Sequence, residues 1–231
     1  MGLLDQLKQQ ADALRTQTSL KQSMREDNVR VVDEAMHKTF HYLLELFKQL
    51  PVLAPTNPVV YQIPGVGEMK NLRYIESHVD SRKKKLGDGE VYDYIPFWIR
   101  WGSSESLNAE RDMPAAISKL RDLLFAANVK FTEEEKRNEQ RSLQKVVFRI
   151  PVAVQVDFDC KADYDNRRLA FYGKNSIRLG MDDYAVPADD INEALLDELA
   201  KMLLGQASEL PKKYRTVLPR NVKPAASPTA R

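Results

Sequence analysis

Four aspartates, Asp157, Asp159, Asp163 and Asp165, stand as one Asp-x-Asp pair on each side of an expected turn. Two carboxylates at i and i+2 of a strand project from one face and can hold a divalent cation for phosphoryl transfer. The phase of the strand argues against that use. Every even-numbered residue leading into the turn is apolar: Val146, Phe148, Ile150, Val152, Val154, Val156, Phe158 and Cys160. This is the period-two alternation of a half-buried strand, and it turns Asp157 and Asp159 away from the core, where acids near a turn are ordinary. No phosphate-binding loop accompanies them, since Gly65-Val66-Gly67 has neither a following helix nor the lysine of a P-loop.

His37 and His41 are four residues apart, with Asp33 a further turn before them, a spacing that can present two imidazoles to one metal. On a helix whose inward stripe is Val32, Met36, Leu43 and Phe47, both histidines fall on a flank or toward solvent, and a third ligand is lacking. Gly102-Ser103-Ser104 resembles the opening of nucleotidyltransferase sites, but no acidic pair follows closely. Three histidines and one cysteine support no Ser-His-Asp or Cys-His arrangement. The expectation is no metal, no cofactor and no catalytic residue.

Arg82-Lys83-Lys84-Lys85 lies at the tip of an expected hairpin, and Tyr92, Tyr94 and Trp98 line the outer face of its return strand. Basic residues beside aromatic rings suit single-stranded nucleic acid, charge for the backbone and rings for the bases. A charged hairpin tip also protects a sheet edge, and such a ring row is commonly covered by a helix, which makes these seven residues a candidate binding surface of either kind.

The elements that must hold these residues belong to a chain of 231 residues with net charge +2. Residues 206–231 carry Lys212, Lys213, Arg215, Arg220, Lys223 and Arg231 against Glu209, a local +5 that leaves −3 for the rest. With four prolines among small residues, this stretch reads as a basic flexible tail. A slightly acidic body is not drawn to nucleic acid by its net charge. The single cysteine, Cys160, sits on the apolar stripe and reads as a small hydrophobe. No apolar run approaches the roughly 18 residues of a membrane helix, no signal-peptide core is present, and Gln6 stands where a myristoylation signal needs Ser or Thr. A soluble cytoplasmic protein without membrane contact is expected.

The first fifty residues form a helical arm. Leu4, Leu7, Ala11 and Leu14 mark a short amphipathic helix that packs on its own domain or on a second copy, and Val29, Val32, Met36, Phe40, Leu43, Phe47 and Leu50 mark a second helix ended by Pro51. A domain over 58–205 follows. A strand near Val59 to Ile63 precedes a hairpin from Met69 to Lys83 and Val91 to Trp101, turning at Leu86-Gly87-Asp88-Gly89. A helix opens at Pro114, residues 132–145 are a charged strand end or loop, the alternating strand comes next with a bend, bulge or edge at Pro151, and a partner run of Leu169 to Met181 is interrupted at Gly173 and Asn175. Pro187 opens the last helix and Gly205 ends it.

This order predicts an α+β fold: an antiparallel sheet of about five or six strands with helices on one face, built from a hairpin-then-helix unit that occurs twice, at 69–128 and 145–205. The element order is similar to that of type III secretion chaperones and their relatives, which implies protein binding. The expected function is a non-catalytic protein-binding, chaperone-like or adaptor module, with homo-oligomerisation through the N-terminal helix. A nucleic-acid-binding protein using Arg82 to Lys85 and the basic tail is the second reading, and a metal-dependent phosphoryl-transfer enzyme using Asp157 and Asp159 is the third.

Overall fold

The computed structural model describes residues 2–87 and 89–219, with the backbone alone at 3–7 and 9–13. The fold begins with one helix, α1 (Leu3–Leu53), where the periodicity had suggested two. No glycine or proline breaks the polar stretch between Leu14 and Val29, and the helix is supported there by local bonds, Thr18 Oγ1 to the Leu14 carbonyl at 2.8 Å and Gln22 Nε2 to Glu26 at 3.1 Å. Its 51 residues make a rod roughly 77 Å long at 1.5 Å per residue. Pro51 lies inside the last turn rather than ending it, and the chain leaves the helix at Ala54, whose φ is 42° and whose N–H reaches the Leu50 carbonyl at 2.8 Å.

Among the described residues the main sheet has nine strands, more than the five or six expected, and the α+β antiparallel class is as the sequence indicates. β1 (Thr56–Asn57), β4 (Leu72–Val79), β6 (Gly89–Arg111), β8 (Leu143–Asp163), β9 (Arg168–Lys174), β10 (Met181–Pro187) and β11 (Arg215–Thr216) lie side by side in that order. β5 (Arg82–Leu86) pairs β6 beyond the end of β4, and β7 (Thr132–Arg137) pairs the first part of β8. β2 (Tyr61–Ile63) and β3 (Gly67–Met69) form a separate small ladder. The extra strands are two-residue edges or, in β7, six consecutive exposed residues; neither carries an alternating apolar signal. The segment read as a charged strand end or loop at 132–145 therefore contains a complete edge strand.

β6 and β8 are the spine. Ile95, Phe97, Ile99 and Trp101 face Cys160, Phe158, Val156 and Val154 across the ladder, all nearly or fully buried, and the Phe97 and Phe158 rings stack at 5.4 Å. Of the bend, bulge or edge expected at Pro151, a bulge is there: Gly102 pairs Ala153 and Ser106 pairs Pro151, so residues 103–105 oppose Val152 alone. On its other side β8 is paired by β7 up to Arg149 and by β9 only from Asp157, leaving 150–156 without a strand neighbour among the described residues. Pro151 falls in that gap, where its missing N–H costs no ladder bond.

The helices add their apolar stripes to one core. From Val32 to Leu50, α1 lies on the spine: Met36 Sδ receives the Cys160 thiol at 3.6 Å, and the Phe47 ring meets Phe97. α2 (Pro114–Ala126) and α3 (Glu193–Leu203) bury Ile117, Leu120, Leu124 and Leu196, Leu199, Met202 in the same cluster. Pro187 does not open α3. It closes β10 and leads into a 3-10 turn at Ala188–Asp190, after which Asn192 caps α3, its Oδ1 accepting the Leu195 N–H at 3.0 Å. Gly205, with φ of 72°, ends the helix as expected.

The basic tail is folded at its beginning. α4 (Leu210–Tyr214) and β11 dock on β10, burying Leu210, Tyr214 and Leu218, with the Tyr214 hydroxyl donating to Asp190 at 2.7 Å. The boundary expected at 206 is thus not one: the body continues to Pro219, and the remainder of the expected tail, 220–231, lies outside the described residues.

Candidate functional site

Of the seven residues expected on one binding surface, Tyr92 departs from its place. Its side chain is 5% exposed and packs inward among His37 and Phe40 of α1. The cause is a register irregularity between Arg82 and Lys83, together with capture of the Tyr92 backbone, whose N–H donates to Asp33 Oδ1 at 2.7 Å and whose carbonyl accepts the Tyr164 hydroxyl. Asp33 is thereby occupied, and His37 and His41 are exposed on the flank of α1 with rings 4.2 Å apart. Tyr94 and Trp98 do lie on the outer face, half-buried, each under a cation: Arg82 sits 5.2 Å from the Tyr94 ring and Arg100 5.6 Å from Trp98.

Asp157 shares that outer face, opposite Trp98. Gln155 Nε2 donates to it at 2.6 Å while Gln155 Oε1 accepts from Arg100 at 3.1 Å, so the carboxylate ends a polar row that begins at Glu76. Asp159 is exposed. Among the described residues no group of three or more His, Cys, Asp or Glu side chains is placed to hold a metal ion. Burial pushes the Asp157 carboxyl above its usual range, against the opposing effects of Gln155 and Lys174. A carboxyl whose folded-state pKa is raised favours the fold fully only below its unfolded value of roughly 3.9, and that contribution is lost as pH rises through the folded value. Asp157→Asn is therefore expected to be more stable than the native chain at pH 7 and to lose that advantage at pH 3. The difference in urea unfolding free energy should reach about 1 kcal/mol, the scale of one hydrogen-bonded polar group; a difference that does not change with pH would refute the assignment.

A further recess lies elsewhere, where α1 leaves the body. A charge network fixes the root of the arm. Arg167, in the β8–β9 turn, reaches Asp27 of α1 and holds Asp189 at 2.7 Å, while Arg30 bonds Asp27 at 2.6 Å and Glu34 at 3.0 Å. Arg167 holds the carboxyls of Asp27 and Asp189 below their usual range. Beyond this clamp the arm passes over the β5–β6 tip and encloses a groove of about 640 Å³ between Thr18, Lys21, Arg25 and Val29 on one wall and Leu86 and Gly87 on the other. Arg25, Val29 and Leu86 also border a second recess of about 470 Å³, reaching the β8–β9 turn and the end of the docked tail at Leu218 and Pro219.

The second recess is lined by cations from four segments: Arg25, Lys84, Lys161 and Arg168. Two of them lie on tyrosine faces, Lys84 5.2 Å from the Tyr164 ring and Lys161 5.0 Å from Tyr172. Lys84 also pairs with Asp93 at 2.7 Å, and Arg168 with Asp163 at 2.8 Å. Burial pushes the Asp163 carboxyl up, but the bonds from Arg168 and Asn166 outweigh it and the net shift is downward. Sequence reasoning singled out Lys84, and Asp163 and Asp165 as a pair of acids at the turn, and missed the rest of this site. Its walls come from residues 18–29, 84–87, 161–172 and 218–219, and no local spacing links them. The available signal was negative: an unbroken stretch from Leu14 to Val29 that could only continue as helix.

Comparison of the chain with known protein families, with curated proteins and with solved structures returns no match. No described helix is long and apolar enough to cross a membrane.

Proposed function

We propose that the chain is a non-catalytic protein-binding module of adaptor or chaperone type, which takes a segment of another protein into the groove between the α1 arm and the β5–β6 tip. One observation carries this reading. Between the arm and the body lies a two-part groove whose lining joins apolar Val29, Leu86, Ala162, Ala170 and Leu218 to a polar rim, and the same arm leaves Leu14, Leu20 and Met24, outside that lining, 63%, 60% and 68% exposed. Most of the stability of a protein helix comes from packing its apolar side chains, and a partner seated against the arm supplies that packing. The exposed β5 edge, Arg82 to Lys85, supports nucleic-acid binding as the second reading.

A photo-activatable residue at Gln22, on the groove wall, tests the two together. Irradiation in extract of the source cells is expected to give a covalent adduct with a protein that survives nuclease treatment, while the same residue at Phe125, on the exposed side of α2, gives none. An adduct lost on nuclease digestion would favour nucleic acid, and equal adducts at both positions would remove the groove from consideration.

A further inference from the structure

We infer that the groove selects an acidic, carboxylate-rich peptide segment with interspersed apolar residues; this rests on the protein-binding reading and names the chemistry of its partner. The lining of the two recesses holds Lys21, Arg25, Lys84, Lys161 and Arg168 against Glu26, Asp163 and Asp165, an excess of two positive charges. Among the described residues no carboxylate lies within ion-pair distance of Lys21, Arg25 or Lys161, so three cations along one path lack an anionic partner. Lys161 is held in place by the Tyr172 ring, an arrangement that orients the ammonium without saturating its hydrogen-bond donors.

The rest of the lining decides among anions. Val29, Leu86, Ala162, Ala170 and Leu218 give the path an apolar floor, which a peptide with leucine-like side chains fills and a phosphate backbone does not. The rings that nucleic acid would stack on are committed: Tyr92 is turned into the core, and Tyr164 and Tyr172 each carry an ammonium. The chain's own C-terminal segment is the wrong sign. Beyond Pro219 its sequence holds Arg220, Lys223 and Arg231 and no acid, so it does not complement a lining rich in cations. A second copy of the arm offers acids and bases in balance and gains nothing from the unpaired cations.

A fluorescein-labelled 16-residue peptide of Glu, Asp and Leu, its Gln/Asn/Leu isostere and a labelled dT16 strand are the probes, read by fluorescence polarisation with the full-length protein. The acidic peptide is expected to bind at least tenfold more tightly than the isostere, and to lose at least tenfold between 50 and 500 mM salt. It should lose as much in the Arg25→Glu/Lys161→Glu variant, whose melting temperature must match the native protein's. Equal binding of peptide and isostere, or binding of dT16 in preference to both, overturns the inference. Protein adducts at Gln22 with no preference for the acidic peptide would leave the binding-module reading standing and remove its charge selectivity. Loss of the adducts themselves would remove both.

Discussion

Replacing Gly173 by alanine is expected to destabilise the protein by at least about 3 kcal/mol, read as a fall in the urea midpoint at unchanged slope. A Cβ at this position would lie well under 3.0 Å from the Asp182 carbonyl oxygen of the neighbouring strand and from the Phe158 ring on the other side. The ring can shift, but the carbonyl belongs to the β9–β10 ladder, where Gly173 pairs Asp182. Relieving only the ring, in Gly173→Ala/Phe158→Leu, should therefore fail to restore the midpoint. A Gly173→Ala protein with the native midpoint would show that β9 and β10 are not this close.

The second large effect is expected from Arg215→Ala. The Asp182 side chain has no solvent exposure and is paired by Arg215, with Arg178 3.6 Å away and the Ser176 hydroxyl donating at 3.0 Å. Removing one partner of a buried ion pair leaves a charge that water cannot reach, at a cost of roughly 3 kcal/mol or more. Arg178, 62% exposed, compensates poorly. Converting the acid as well, in Arg215→Ala/Asp182→Asn, should recover most of the loss, and a double-mutant cycle in urea measures the coupling. A change under 0.5 kcal/mol in the single variant would mean that Asp182 is not buried as described. The loss should also free β11 and with it Leu218 and Pro219, which wall the groove, so peptide binding falls together with stability.

The alternation from Val146 to Cys160 made the sheet, its buried face and the outward turn of Asp157 and Asp159 legible, because a strand with one face in the core must show period two. The same rule hides β7 and β11, whose residues are exposed, and β1, whose one buried residue is the polar Asn57. α2 was readable from Pro114 and its leucines. The docked tail carried a signal in Leu210, Tyr214 and Leu218 at spacings of four, outweighed by the prolines and lysines around them. Tyr92 could not be placed from the sequence, since its direction depends on Asp33 and Tyr164 holding its backbone from distant segments. For the same reason the groove was invisible while one of its cations was not.

Among the described residues β8 has a single strand neighbour from 150 to 156, and the Asn175 side chain reaches across on its open side. The Asn175 amide, in a left-handed residue with φ of 61°, donates to the Gln155 carbonyl at 3.0 Å and to the Ala127 carbonyl at the end of α2 at 2.7 Å, while its oxygen accepts the Gly180 N–H at 3.0 Å. The sheet is thus two ribbons joined along the β6–β8 spine, with the Asn175 amide tying the open side of β8 to the end of α2. One ribbon carries β7 beneath α2; the other carries the β5 tip, the β8–β9 turn and the groove. Both ribbons share one hydrophobic core, so the β6–β8 spine and the Asn175 amide link the wall of the groove to the elements that carry α2.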